Sequence, residues 1–129
     1  MNLLVVDDDP EMRRYMQRSL ERGFGPATSV REAADGEDAL RLVAAGGFDA
    51  VITDVLLPRL DGLALCAALG AAAGTGRLPV LVVSGELEAI DRARAEVRGL
   101  ARRAFLAKPF NAATLCAAVA RLVGEAEAD

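Results

Sequence analysis

Four short apolar runs in this chain each end on a residue that can hold or move charge. Leu3-Leu4-Val5-Val6 runs into Asp7-Asp8-Asp9 and Ala50-Val51-Ile52-Thr53 into Asp54. Val80-Leu81-Val82-Val83 stops at Ser84, and Phe105-Leu106-Ala107 at Lys108. Runs of this length, separated by amphipathic stretches, read as buried strands alternating with helices. Such alternation folds as an α/β unit, a parallel sheet with helices on both faces. Ligands bind such sheets outside the carboxyl ends of the strands, where strand order reverses. The pattern delivers carboxylates, a hydroxyl and an ammonium to that edge.

The intervening stretches carry helix signals. Asp9-Pro10 supplies an N-cap and a proline at the first helical position. Met12, Met16 and Leu20 make an inward stripe that is expected to stop at Gly23. Ala27 to Ala33 is a weaker strand, Asp35-Gly36 a turn, and Leu40 with Val43 the inner face of a second helix ended by Gly46-Gly47. Leu57 to Gly62 reads as a loop, followed by a helix with Leu63, Cys66 and Leu69 that closes at Gly70 or Gly74. Ile90, Ala93, Val97 and Leu100 mark a fourth helix, and Leu115, Val119, Leu122 and Val123 a fifth. A polar stretch from Gly124 to Asp129 closes the chain. These are five βα units, without a repeat or linker.

Composition narrows the function. The 129 residues suit one domain with a single core. Fifteen basic against nineteen acidic residues give a net charge of −4, which argues against nucleic acid as a direct partner. No apolar run approaches the ~18 residues that a membrane span needs, and no cationic region precedes an apolar stretch as in a signal peptide. A cytoplasmic protein is expected. The two cysteines, Cys66 and Cys116, have neither metal nor redox spacing. They are expected on opposite faces of the sheet, unable to bridge. The chain has no histidine, so a phosphohistidine would have to come from another molecule.

Lys108 is the only lysine, every other basic residue being arginine. Carboxylates brought within ~4–5 Å repel by several kcal/mol at a protein-like dielectric, and a hard cation with oxygen ligands offsets this. Magnesium takes one or two carboxylates together with phosphate oxygens. Asp7, Asp8 and Asp54 would give part of such a shell, and a phosphoryl group would complete it. Lys108 suits one phosphate oxygen as a compact charge on a flexible stem, and Ser84 can donate to another. Asp54 is the expected nucleophile, because a carboxylate can form an acyl phosphate between such clamps.

Across nearly its whole length the chain resembles a response-regulator receiver domain of two-component signalling, in the CheY-like superfamily. The matching pieces are Val5-Val6-Asp7-Asp8, Asp49 to Pro58 with Asp61-Gly62, Val83-Ser84-Gly85, and Phe105-Leu106-Ala107-Lys108-Pro109-Phe110. The resemblance implies a flavodoxin-like (βα)5 doubly wound fold with strand order 2-1-3-4-5. The receiver would span residues 1–124, with 125–129 a polar tail. It implies magnesium (or manganese) held by Asp7, Asp8, Asp54 and the backbone carbonyl of Leu56, and a cis bond before Pro109. Asp54 would accept a phosphoryl group from a partner sensor histidine kinase or histidine phosphotransfer protein. Ser84 would then move inward and Phe105 follow, reshaping the surface of the fourth helix, fifth strand and fifth helix for a downstream protein. Phosphorylation-dependent homodimerisation is compatible with this scheme.

Three departures from the family pattern matter. Phe105 stands where tyrosine is commoner, so a rotamer switch can persist without a hydroxyl contact. The stretch from Ser84 to Lys108 is about two residues longer than usual, around Gly99 to Ala104. Leu56, two positions after Asp54, has no polar group to position an attacking water, which predicts slow self-dephosphorylation. Glu86 stands two after Ser84.

Plainer readings stand beside these. Asp9 is read as a cap, and Phe105 is equally well a core side chain. Arg92, Arg94, Arg98, Arg102 and Arg103, interleaved with Glu88, Asp91 and Glu96, form a solvated face or a docking surface. One rival function is a haloacid-dehalogenase-type phosphatase with Asp7 as nucleophile. That family needs a further acidic motif after the lysine, where this chain has only Glu125, Glu127 and Asp129. The other rival is a receiver-like interaction module that never takes phosphate, against which the complete acid, hydroxyl and lysine set argues. The chain is either a stand-alone receiver or the receiver portion of a longer protein.

Overall fold

The computed structural model describes residues 1–71, 77–96, 100 and 102–128. Gly74, Val97, Arg98, Gly99, Ala101 and Asp129 lie outside the described residues, as do the side chains of Glu88, Ala93, Glu96, Glu125 and Glu127. Strands and helices alternate along the chain: β1 (Asn2–Val6), α1 (Pro10–Phe24), β2 (Ser29–Ala33), α2 (Gly36–Ala44) and β3 (Ala50–Asp54). They continue as α3 (Gly62–Ala71), β4 (Val80–Ser84), α4 (Leu87–Glu96), β5 (Arg103–Ala107) and α5 (Ala112–Ala128). The five strands form one parallel sheet of order β2-β1-β3-β4-β5. This is the expected doubly wound order.

Strand side chains alternate between two cores. Leu4, Val6, Val51, Val80 and Val82 pack with Ala39 and Val43 of α2, Leu65, Cys66 and Leu69 of α3, and Ala89 of α4. Leu3, Val5, Ile52, Leu81 and Val83 pack with Met16 and Leu20 of α1 and Leu115, Val119 and Leu122 of α5. β1, β3 and β4 are covered on both sides, which is why they read as unbroken apolar runs rather than alternating ones. Cys66 and Cys116 belong to opposite faces, and both are free thiols.

Helix ends follow the capping chemistry. Asp9 caps α1 by accepting from the Glu11 N–H at 3.0 Å, and Pro10 takes the first helical position. Asp35 caps α2 through Asp38 N–H at 2.8 Å, and Gly46 and Gly47 leave that helix with positive φ of 84° and 93°. Two helices run past their expected ends. α1 continues through Gly23 to Phe24, with Gly25 (φ 93°) taking the cap. Gly23 is there for closeness rather than termination, since a Cβ at that position would drive into the Cys116 sulfur of α5. α5 likewise runs through Gly124 to Ala128, taking in most of the polar stretch. The Lys108–Pro109 peptide bond is cis, as the resemblance implied. Among the described residues no helix is long and apolar enough to cross a membrane.

Candidate functional site

Register brings the strand ends to one edge. Asp54 pairs with Val83 and Ser84 with Ala107, so the last residues of β3 and β4 and the first after β5 stand side by side. The ladders run one residue further: Val55 N–H donates to Val83 O at 3.3 Å and Lys108 N–H to Ser84 O at 2.8 Å. Asp7 is fixed just past β1, its N–H donating to Ala33 O of β2 at 3.2 Å.

Four of the expected residues converge there. The Lys108 ammonium donates to Asp54 Oδ2 at 2.7 Å and to Asp7 Oδ2 at 2.9 Å. Asp7 is 1% exposed and Asp54 8% exposed, so both carboxylates lie largely out of water. Burial pushes the Lys108 ammonium pKa down from 10.5, but hydrogen bonds to Asp54 and Asp7 and their charges outweigh it, and the net shift is upward. The lysine is held charged. Asp7 Oδ1 accepts from the Asp9 N–H at 2.9 Å, and Asp54 Oδ1 from the Leu56 N–H at 3.3 Å.

Asp8 completes the cluster from the exposed side. One carboxylate oxygen each of Asp7, Asp8 and Asp54 lies within 4.8 Å of the others. Three carboxylates facing one ammonium leave negative charge uncompensated, and the donor set is all oxygen. That fits a hard divalent cation of the magnesium class.

The remaining expected residues sit around this cluster. The Ser84 hydroxyl is 1% exposed and accepts from the Glu86 N–H at 3.1 Å, so it is at the right strand end but engaged locally. The Leu56 side chain is 51% exposed, turned away from the core. Phe105 is half-buried mid-strand in β5, outside the cluster, with the Arg94 guanidinium 4.6 Å above its ring centroid. Of the arginine face, Arg92 and Arg94 are exposed on α4, and Arg103 donates to Leu100 O at 2.9 Å. A groove of about 650 Å³ between α1 and α5, lined by Arg14, Arg18 and Arg22, lies apart from the carboxylates.

The supporting contacts of three residues escaped the sequence reading. Gly62 starts α3 against the back of Asp54, where a Cβ would drive into the Asp54 carbonyl oxygen. Arg13 donates to the Asp7 carbonyl at 2.7 Å. Arg94 stacks on Phe105. The Asp61-Gly62 pair was a visible signal for the first. The other two are arginines among many, and only three-dimensional contact singles them out.

Comparison with known proteins agrees with this fold. The family model for the response regulator receiver domain matches residues 3–120. Over 114 residues the chain is 43% identical to the response regulator MprA of Mycobacterium tuberculosis, covering 85% of the chain and 45% of the relative. The chain thus spans less than half the length of that curated relative. Among solved structures it is similar to the Vibrio cholerae chemotaxis protein CheY4, with a TM-score of 0.79 at 28% identity, covering 94% and 97% of the two chains. It is also similar to the receiver domain of a Pseudomonas aeruginosa sensor histidine kinase, solved with magnesium coordinated in its active-site cleft. That match has a TM-score of 0.81 at 27% identity over 95% and 97% of the two chains.

Proposed function

The chain belongs to the response regulator receiver domain family, and on that premise we propose that Asp54 is its phosphoacceptor. The observation that carries this is the Asp54 carboxylate at the end of the central strand, 2.7 Å from Lys108 and grouped with Asp7 and Asp8. Phosphoacceptor signalling is the work of the family. The chain contains no histidine, so the donor phosphohistidine would be on a partner, a sensor histidine kinase or a histidine phosphotransfer protein.

In the proposed step an Asp54 carboxylate oxygen forms a new O–P bond while the P–N bond to the donor imidazole breaks. The bonding pair returns to the imidazole nitrogen. Asp7, Asp8, Asp54 and the Leu56 carbonyl would hold a divalent cation, Mg²⁺ or Mn²⁺, which would supply charge neutralisation for the phosphoryl oxygens. Lys108 already reaches the Asp54 carboxylate and can follow an oxygen of the arriving group. Ser84 can donate its hydroxyl to another while still accepting from Glu86. Asp7, at 1% exposed, is less accessible to an incoming phosphoryl group than Asp54 at 8%, which disfavours the phosphatase reading.

The output follows from charge. A phosphoryl group adds about −1.5 to −2 charges, drawing Ser84 inward and letting Phe105 move behind it. The surface of α4, β5 and α5 then changes for a downstream protein or a second copy, with no direct nucleic-acid contact in keeping with the net charge of −4. The receiver unit would span residues 1–124. A cytoplasmic location belongs to the same reading, because donor phosphohistidines are made from ATP.

Intact mass after incubation with acetyl phosphate and Mg²⁺ tests the acceptor. Wild type should gain one phosphoryl group, and neither Asp54→Asn nor wild type in EDTA should. Equal gain by Asp54→Asn would remove Asp54 from the role. The exposed Leu56 offers no polar group to orient water at Asp54. The phosphorylated protein should therefore decay slowly, and a half-life of seconds would contradict that.

A further inference from the structure

We infer that Arg13 is a positioning residue for the acidic cluster, holding the turn from Asp7 to Asp9 in the shape that lets three carboxylates meet one divalent cation. The inference rests on the reading of that cluster as a cation site. Arg13 sits at the fourth residue of α1, close to the positive end of the helix dipole, where a cation is disfavoured. Its guanidinium is nevertheless drawn in. Nη1 donates to the Asp7 carbonyl at 2.7 Å, and Nε lies 3.3 Å from Glu32 Oε1 on β2, with the Arg13 side chain only 18% exposed. Arg14, the next residue along the helix, is exposed.

The partner atom makes this more than a surface ion pair, which alone is worth ~0–1 kcal/mol. The Asp7 carbonyl is the first beyond the end of β1, and Arg13 supplies it with a donor there. Asp7 is then fixed at four atoms: its N–H by Ala33, its carbonyl by Arg13, Oδ1 by the Asp9 N–H and Oδ2 by Lys108. Lys108 is shared with Asp54 and must be free to follow a phosphoryl oxygen. Arg13 is an anchor that chemistry at Asp54 need not disturb. The fork of a guanidinium can serve the carbonyl and Glu32 together, whereas a lysine ammonium serves one of them from a different distance. Groups that orient metal ligands, when removed, typically weaken metal affinity ~10–100-fold.

Mg²⁺ titration of the full chain, followed by amide NMR shifts at Asp8 and Asp54, tests this. Arg13→Ala should weaken Mg²⁺ binding about 10-fold and speed hydrogen exchange of the Asp9 N–H, which bonds Asp7 Oδ1. Arg13→Lys should recover part of the affinity, and Glu32→Gln should show a smaller loss of the same kind. If Arg13→Ala does not fold, Arg13→Lys and Glu32→Gln decide the matter. Affinity within twofold of wild type in the folded variants, with only the melting temperature changed, would overturn the inference. Wild type showing no Mg²⁺-dependent shifts at all would instead overturn the cation reading, and the inference with it.

Discussion

The Lys108 ammonium lies 2.7 Å from Asp54 Oδ2 and also reaches Asp7, so one cation holds two buried carboxylates together across the edge of the sheet. Replacing it with an apolar side chain leaves those carboxylates facing each other unpaired, a change that costs ~3–5 kcal/mol in buried pairs. Lys108→Met should therefore melt well below wild type without divalent cation and regain part of the loss in Mg²⁺. Its phosphorylation by acetyl phosphate should be slower by about 100-fold, as when one preorganised charge is removed from a transition state. Unchanged melting and rate together would contradict the clamp.

Arg94 stacks on Phe105 at 4.6 Å and restrains the aromatic in its present half-buried position. An exposed cation–π contact is worth ~0.5–1 kcal/mol. If Phe105 moves inward on phosphorylation, Arg94→Ala should favour the moved state by about that much. The phosphorylation rate with acetyl phosphate should rise roughly two- to fivefold. An unchanged rate would assign Phe105 to plain packing.

Two glycines in helices make opposite forecasts. Gly62 abuts the Asp54 carbonyl, so Gly62→Ala should destabilise by about 3 kcal/mol or more, because backbone cannot yield as a side chain does. Gly124 in α5 has open space around its would-be Cβ, and Gly124→Ala should stabilise by ~0.5–1 kcal/mol through helix propensity. Chemical denaturation of the two variants checks both signs.

Burial, with the Asp61 charge adding to it, pushes the Cys66 thiol from 9.0 up to about 12. A folded-state pKa above the unfolded value means stability intact below pH 9 and lost as pH rises from 9 towards 12. Cys66→Ala should show a shallower alkaline decline, whatever its stability at neutral pH. In the native protein a thiol reagent should label Cys116, which is half-buried, well before Cys66. Equal labelling rates would place Cys66 nearer the surface than its 1% exposure allows.

Most of the fold was legible because four of the five strand runs end on a polar terminator and each helix has a cap or stripe. The same property exposed the candidate site: Asp7, Asp54, Ser84 and Lys108 are both strand terminators and chemical groups. Where the reading stopped short, a contact distant in sequence decided the outcome. Gly23 looked like a helix stop, but it sits inside α1 because Cys116 packs against it from α5. Arg13 and Arg94 carry no local signal of their contacts, since Asp7 lies six residues back in the turn after β1 and Phe105 eleven residues on in β5. The longer segment between Ser84 and Lys108 bears on Gly99 to Ala104, part of which lies outside the described residues.

Trapping the acyl phosphate identifies the acceptor aspartate. After reaction with acetyl phosphate in Mg²⁺, borohydride reduces a phosphorylated aspartate to homoserine, and peptide mass mapping then finds its position. Homoserine is expected at residue 54, with unmodified aspartate at residues 7 and 8. Homoserine at Asp7 or Asp8, with Asp54 intact, would contradict Asp54 as the acceptor.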